Sequence, residues 1–105
     1  MTENIRQLDD PTRFEISVDG EVAGFAEYVD RPGRRIFHHT EIDPAFGGRG
    51  LAGVVVEHAL TATRDAGLRI VPVCSYVQRW VEKHPQWQES VDKPRPDDLE
   101  ALRGD

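Results

Sequence analysis

Three short stretches hold the residues best suited to do chemistry. Gly47-Gly48-Arg49-Gly50 places three glycines and one cation in four consecutive positions. The first turn of a helix has N–H groups without intrahelical partners, and its dipole favours anions. A glycine loop opening a helix therefore suits a phosphate or pyrophosphate, with Arg49 adding charge. A tight turn that needs glycine only for its φ angles accounts for the same residues. Cys74 is the chain's one cysteine and directly precedes Ser75-Tyr76-Val77-Gln78, a capping-box pattern. A helix N-terminus favours a thiolate, which makes Cys74 a candidate nucleophile; a small buried residue at a strand end is the plainer alternative. His39 and Glu41 stand two apart in an alternating stretch and so share a strand face, with His38 on the other. Imidazole titrates near neutrality and can relay a proton. Both side chains are equally at home as solvated or structural strand residues.

Several familiar sites are excluded. Gly48, Gly50 and Gly53 satisfy G-x-G-x-x-G, but the dinucleotide fingerprint belongs to a parallel sheet and needs an acid at the end of the next strand. Here the preceding strands are hairpin-joined, and Val73-Cys74 stands where that acid is required. No Gly-Lys-Ser/Thr follows, so this is no Walker loop. A single cysteine forms no internal disulfide and falls short of the usual structural zinc sites. No carboxylate or histidine pair has metal-ligand spacing, so no metal is expected.

The elements that must position these residues follow from periodicity. Phe14, Ile16 and Val18 alternate with polar residues, which marks a half-buried strand. Asp19-Gly20 is a two-residue hairpin signal, because both central residues of a type I′ turn need positive φ. Glu21 to Val29 is the return strand, Arg31-Pro32-Gly33 the next turn, and Arg35 to Ile42 a third strand. On that strand Ile36, His38, Thr40 and Ile42 are expected on one face, and Phe37, His39 and Glu41 on the other. The period then becomes helical from Leu51 to Ala66, with Gly67 placed to end the helix in a left-handed conformation. Leu68 to Val73 is a short strand, and a second helix runs from Ser75 to His84-Pro85. The expected order is β-β-β-α-β-α: an α/β fold on a mixed, mostly antiparallel sheet, with one right-handed crossover.

Length and composition set the frame. A chain of 105 residues is one domain. Residues 1–12 are polar and without periodicity, residues 13–87 form the domain, and residues 88–105 are an acidic C-terminal tail. That tail has six acids against three bases and is expected to be mobile or loosely docked, with a short helix at Asp97–Leu102. With 13 Lys+Arg against 19 Asp+Glu the net charge is −6, which suits no nucleic-acid partner. No apolar run is long enough for a membrane helix, and no signal peptide follows Met1, so a cytoplasmic location is expected. A sheet with helices mainly on one face leaves the other to be covered, so both a monomer and a homodimer fit.

Phe46-Gly47-Gly48-Arg49-Gly50-Leu51-Ala52, between a strand and a helix, resembles the acyl-CoA pyrophosphate loop of the GNAT superfamily of N-acetyltransferases. Gly50 and Ala52 occupy its two small positions; Gly47 stands where the pattern has Arg or Gln. The chain is similar above all to a minimal branch of roughly 100-residue proteins. It shares that branch's succession of His39-Thr40-Glu41-Ile42, the glycine loop, Pro72-Val73-Cys74, Tyr76-Val77 and Lys83-His84-Pro85-Gln86-Trp87. The resemblance implies a GNAT-like acyl-CoA N-acyltransferase fold lacking N-terminal helices. It also implies acetyl-CoA as co-substrate, an unidentified amine as acceptor, and Gly47, Gly48, Arg49, Gly50, Leu51 and Ala52 around the pyrophosphate. Backbone groups near Ile42 would hold the pantetheine and polarise the thioester, and Glu41 would be the general base. Tyr76 would protonate the departing thiolate, and Cys74 would be a nucleophile or lie near the CoA sulfur. His84 and Trp87 would close the acceptor side, although Trp80 and Trp87 equally suit packing. The alternative is a CoA-binding module without catalysis.

Overall fold

The computed structural model describes residues 2–102. In chain order the elements are β1 (Glu3–Asp9), β2 (Thr12–Val18), β3 (Glu21–Arg31), β4 (Arg34–Ile42), α1 (Leu51–Asp65), β5 (Arg69–Pro72), α2 (Ser75–Lys83) and α3 (Pro96–Ala101). Short 3₁₀ turns occupy Pro44–Phe46 and Pro85–Ser90. The five strands form one sheet in sequence order, antiparallel except for the β4–β5 pair. No helix among the described residues is long and apolar enough to cross a membrane.

The expected meander, crossover and second helix are all present. Asp19 and Gly20 have φ of 51° and 89°, the two positive values that the β2–β3 hairpin requires. On α1, Leu51, Val55, Ala59 and Thr63 recur every fourth residue, with Val56 and Leu60 beside them, and all are buried. This stripe packs on Phe14, Ile16, Ala26, Tyr28 and Phe37 of the sheet. The valine run at 54–56 is helical because two of its three members are buried, which outweighs their modest helix propensity.

The structure departs from expectation at four places. Residues 1–12 are not featureless: Glu3–Asp9 pairs along the whole of β2 as an edge strand. Only Ile5 and Leu8 are even partly buried there, so an edge strand left almost entirely to solvent carries no alternation to read. The capping box at Ser75 does not form, because Cys74 is the N-cap. The Gln78 amide instead donates to the Pro72 carbonyl at 3.0 Å. The C-terminal segment is docked rather than loose. Val91 bridges to Ile70 alongside β5, and the buried Arg34 bonds Asp92 at 2.7 Å and Asp98 at 2.5 Å. Finally, a bulge falls in β4 at His38, between the Tyr28–Phe37 and Glu27–His39 pairs.

That bulge resets the faces of β4. Phe37 joins the core with its partner Tyr28, while His39 turns with Glu27 to the opposite face. Thr40 and Ile42, paired with Ala26 and Gly24, return to the α1 side. Phe37 and His39 therefore do not share a face, contrary to simple alternation.

Candidate active site

β5 pairs with β4 only over Arg34–Phe37. Beyond that point the chain after β5 turns away into α2, and among the described residues no strand pairs with the β5-side edge of β4 from His38 to Ile42. The backbone N–H groups of Val73 and Cys74 both donate to the Phe37 carbonyl at 2.9 Å, which fixes where the two strands part. Near this gap lie the Cys74 thiol, the exposed end of β4 and the loop that opens α1.

The loop is built by two caps. The Asp43 carboxylate accepts the Ala45 N–H at 2.8 Å and starts the 3₁₀ turn. Gly48 and Gly50 then take φ of 79° and 72°, and Gly50 is the N-cap of α1. A Cβ built at either glycine meets nothing within 4 Å, so the backbone faces open space there. Gly47 is extended at φ −64°, and the Arg49 guanidinium lies 5.4 Å from the Phe46 ring centroid. Leu51 is buried and Ala52 half-buried, the first anchoring α1 in the core. The N-cap offers no side-chain acceptor, so the first-turn N–H groups are left to solvent or to an anion.

The four expected catalytic residues fall into three places. His39 Nε2 and Glu41 Oε1 are 3.2 Å apart, both half or more exposed, on the sheet face away from α1. The Phe25 ring lies beside them, 5.8 Å from that of His39. Cys74 is on the other side of β4, half-buried, with its thiol donating to the Thr40 hydroxyl at 3.6 Å. Tyr76 extends to the first turn of α1, where its hydroxyl is 3.6 Å from the position of a Cβ at Gly53. The strand thus brings His39 and Glu41 together and sets them across its own thickness from Cys74. Thr40 had no assigned role; the bulge that turns it toward Cys74 leaves no mark in the residue pattern.

His38, the bulge residue, has its pKa lowered. Burial is the main cause, reinforced by His39 and opposed by Glu27. His84 is occupied elsewhere: its ring stacks on Trp80 at 3.9 Å and its Nδ1 is 2.6 Å from the Trp80 carbonyl. Trp87 is buried in the core beneath Arg64. Both belong to packing among the described residues.

The arrangement offers an anion cradle at the loop, an unpaired strand edge, a thiol and a carboxylate–imidazole pair. Comparison with known proteins bears on the family and the fold. The family model for GCN5-related N-acetyl-transferase matches residues 13–90. Protein NATD1 of Bos taurus is 38% identical over 61 residues, which is 56% of this chain and 51% of that protein. Protein NATD1 of Homo sapiens is 36% identical over 61 residues, with the same coverage of both. The matched part of the chain thus spans about half the length of these relatives. The NMR solution structure of a GCN5-like protein from Staphylococcus aureus superposes with a TM-score of 0.64 at 21% identity, covering 89% of this chain and 91% of that one.

Proposed function

The chain belongs to the GCN5-related N-acetyl-transferase family, and from that premise we propose that it binds acetyl-CoA on its glycine loop and transfers the acetyl group to an amine in the cytoplasm. The observation that carries this reading is the loop itself. Two left-handed glycines open α1 onto free space, directly after a strand whose edge has lost its neighbour.

Acyl transfer needs a neutral amine, a polarised carbonyl, an exit for the thiolate, and the two substrates held together. In the proposed site, backbone N–H groups of Gly47–Ala52 and the Arg49 side chain hold the pyrophosphate. The free β4 edge near Ile42 lies along the pantetheine and polarises the thioester carbonyl. Glu41, hydrogen-bonded to His39, takes the proton of the incoming ammonium. The amine nitrogen forms its bond to the carbonyl carbon as the carbon–sulfur bond breaks; Tyr76 gives a proton to the thiolate, and the proton that the new amide nitrogen sheds restores the Tyr76 hydroxyl. Attack by Cys74 first, with the acyl group passing through a thioester on the protein, is the second route to the same products. The net charge of −6 favours a cationic acceptor.

The test is calorimetric titration with CoA and acetyl-CoA, on the native chain and on Gly50→Glu. Gly50→Ala serves as the control for backbone strain at positive φ. Binding lost in the glutamate variant and kept in the alanine one supports the loop as the pyrophosphate site. Release of free CoA with a panel of amines then tests turnover. Binding without turnover across the panel selects the non-catalytic CoA-binding module, the alternative favoured by the separation of His39 and Glu41 from Cys74. No binding at all overturns both.

A further inference from the structure

We infer that the groove at the end of the β3–β4 pair, lined by Val22, Phe25, Glu41 and Asp43, seats the acceptor and selects a primary ammonium on an unbranched aliphatic stem. The inference rests on the acyl-transfer reading and names the class of amine for it. The groove has a volume of about 160 Å³. Pockets that enclose a whole drug-sized ligand start at about 300 Å³, so this one takes a single arm of a substrate. Its walls are fixed by backbone. Phe25 pairs with Glu41 across the strands, and the Asp43 N–H donates to the Ala23 carbonyl at 2.7 Å. Gly24 has no side chain to hold β3 away from the Glu41 carbonyl.

The lining is apolar on one side and anionic on the other. Ile16 pairs with Gly24 and Ser17 with Val22, so Ala23 is a bulge residue. The bulge buries Ala23 in the core and turns Val22 to the face of Phe25 and Glu41, where it is 50% exposed. Simple alternation would have placed Val22 on the α1 side with Gly24. Glu41 and Asp43 supply two carboxylates, and no cation lines the groove. Arg13, which stacks on the Phe25 ring at 4.4 Å, is paired with Glu15 and Glu27. An apolar wall beside carboxylates fits an alkyl stem that ends in an ammonium. The same carboxylates repel an amine whose own carbon bears a carboxylate, so α-amino acids are excluded. The groove also reaches the reacting end of β4: Glu41, the proposed base, lines it, and Ile42 follows directly.

Amide chemical shifts, followed with CoA present so that no acetyl group is transferred, report binding residue by residue. n-Pentylamine is expected to shift residues 22–25 and 41–43. It should bind at least ~10-fold more tightly than norleucine, the same alkylamine with a carboxylate added, the scale of one charge-assisted contact. 2-Ethoxyethylamine, equal in length but with an ether oxygen in the stem, should bind several-fold more weakly. Asp43→Asn keeps an oxygen for the Ala45 N–H and is expected to lose ~10-fold toward n-pentylamine. Val22→Lys places a cation in the groove and should abolish binding. Both variants should retain their affinity for CoA, which also shows that they are folded. A lysine blocked at its α-amine and carboxyl carries the same stem on a peptide unit. Tighter binding of it than of n-pentylamine assigns the acceptor to peptides, and equal or weaker binding to free amines. Shifts that map elsewhere, equal affinity for norleucine, or two variants that bind like the native chain each overturn the inference. n-Pentylamine seated in the groove but not acetylated by acetyl-CoA overturns the acyl-transfer reading instead, and with it the acceptor role.

Discussion

The Cys74 thiol donates to the Thr40 hydroxyl across the point where β4 and β5 part, at 3.6 Å. Cys74 is held twice from β4, since its backbone N–H is also bonded to the Phe37 carbonyl. Cys74→Ala removes one half-buried sulfur and is expected to cost no more than about 1–2 kcal/mol of stability. If the thiol carries the acyl group, turnover falls 100-fold or more in this variant, on the order of other lost nucleophiles. Thr40→Val frees the thiol without removing it and should lose only about tenfold, through misplacement. Label from acetyl-CoA retained on the denatured native protein, and absent from Cys74→Ala, identifies the covalent route. Full activity of Cys74→Ala removes the thiol from the mechanism.

On the opposite face, Glu41 and His39 are tested by separating turnover from stability. Glu41→Gln keeps the shape of an exposed side chain, so unfolding in urea should shift by less than about 0.5 kcal/mol. A general base contributes roughly 10²–10⁴-fold, so kcat/KM should drop by at least 100-fold. His39→Gln is expected to lose less, and the double variant no more than Glu41→Gln, because a relay acts as one unit. A stability loss matching the activity loss would make the pair a structural contact instead.

The sequence allowed the meander, the crossover and the loop to be anticipated, because those features are written in strong local signals. Asp19-Gly20 demands its turn, the α1 stripe its helix, and Gly48 and Gly50 their left-handed φ. What escaped was set by long-range pairing. The bulge at His38 exists because β3 and β4 pair one residue out of step between Glu27 and Tyr28, and no residue type at 38 announces it. It divides the expected catalytic residues between two faces, and it half-buries His38, which lowers that imidazole's pKa. The docking of the acidic tail was equally hidden, since Arg34 lies 58 residues before Asp92 and 64 before Asp98.

Gly24 makes the joint between β3 and β4 testable. A Cβ there would collide with the Glu41 carbonyl oxygen and the Ile42 side chain. Both are backbone-anchored or core-packed, so neither can yield without moving the end of β4. Gly24→Ala should cost about 1–3 kcal/mol, the usual range for overpacking. At Gly20 the built Cβ meets nothing, and Gly20→Ala should cost only the roughly 1–2 kcal/mol of positive φ. Because Gly24 presses on Glu41 and Ile42, its variant is also expected to weaken acyl-CoA binding, while Gly20→Ala leaves it alone. Urea midpoints and calorimetry on the two variants check both halves. Equal behaviour would mean that the contact with β4 has no consequence.

The clasp between Arg34 and Asp98 gives a pH signature. Burial pushes the Asp98 pKa upward, but hydrogen bonds from the Arg34 side chain and the Arg95 N–H, with both positive charges, outweigh it. The net effect holds the carboxyl below its ordinary 3.8. A group with a depressed folded pKa stabilises fully above its unfolded value, and the benefit is lost as pH falls toward the folded one. The C-terminal segment should therefore loosen in acid, not near neutrality. Asp98→Asn should cost about 1–3 kcal/mol at neutral pH, less than complete orphaning of a buried charge, because Arg34 keeps Asp92 at 2.7 Å. Below pH 3.8 the gap between native and variant stability should narrow as the native carboxyl protonates. Urea unfolding of both proteins across the acid range measures that gap, and a gap independent of pH would exclude Asp98 as the titrating group.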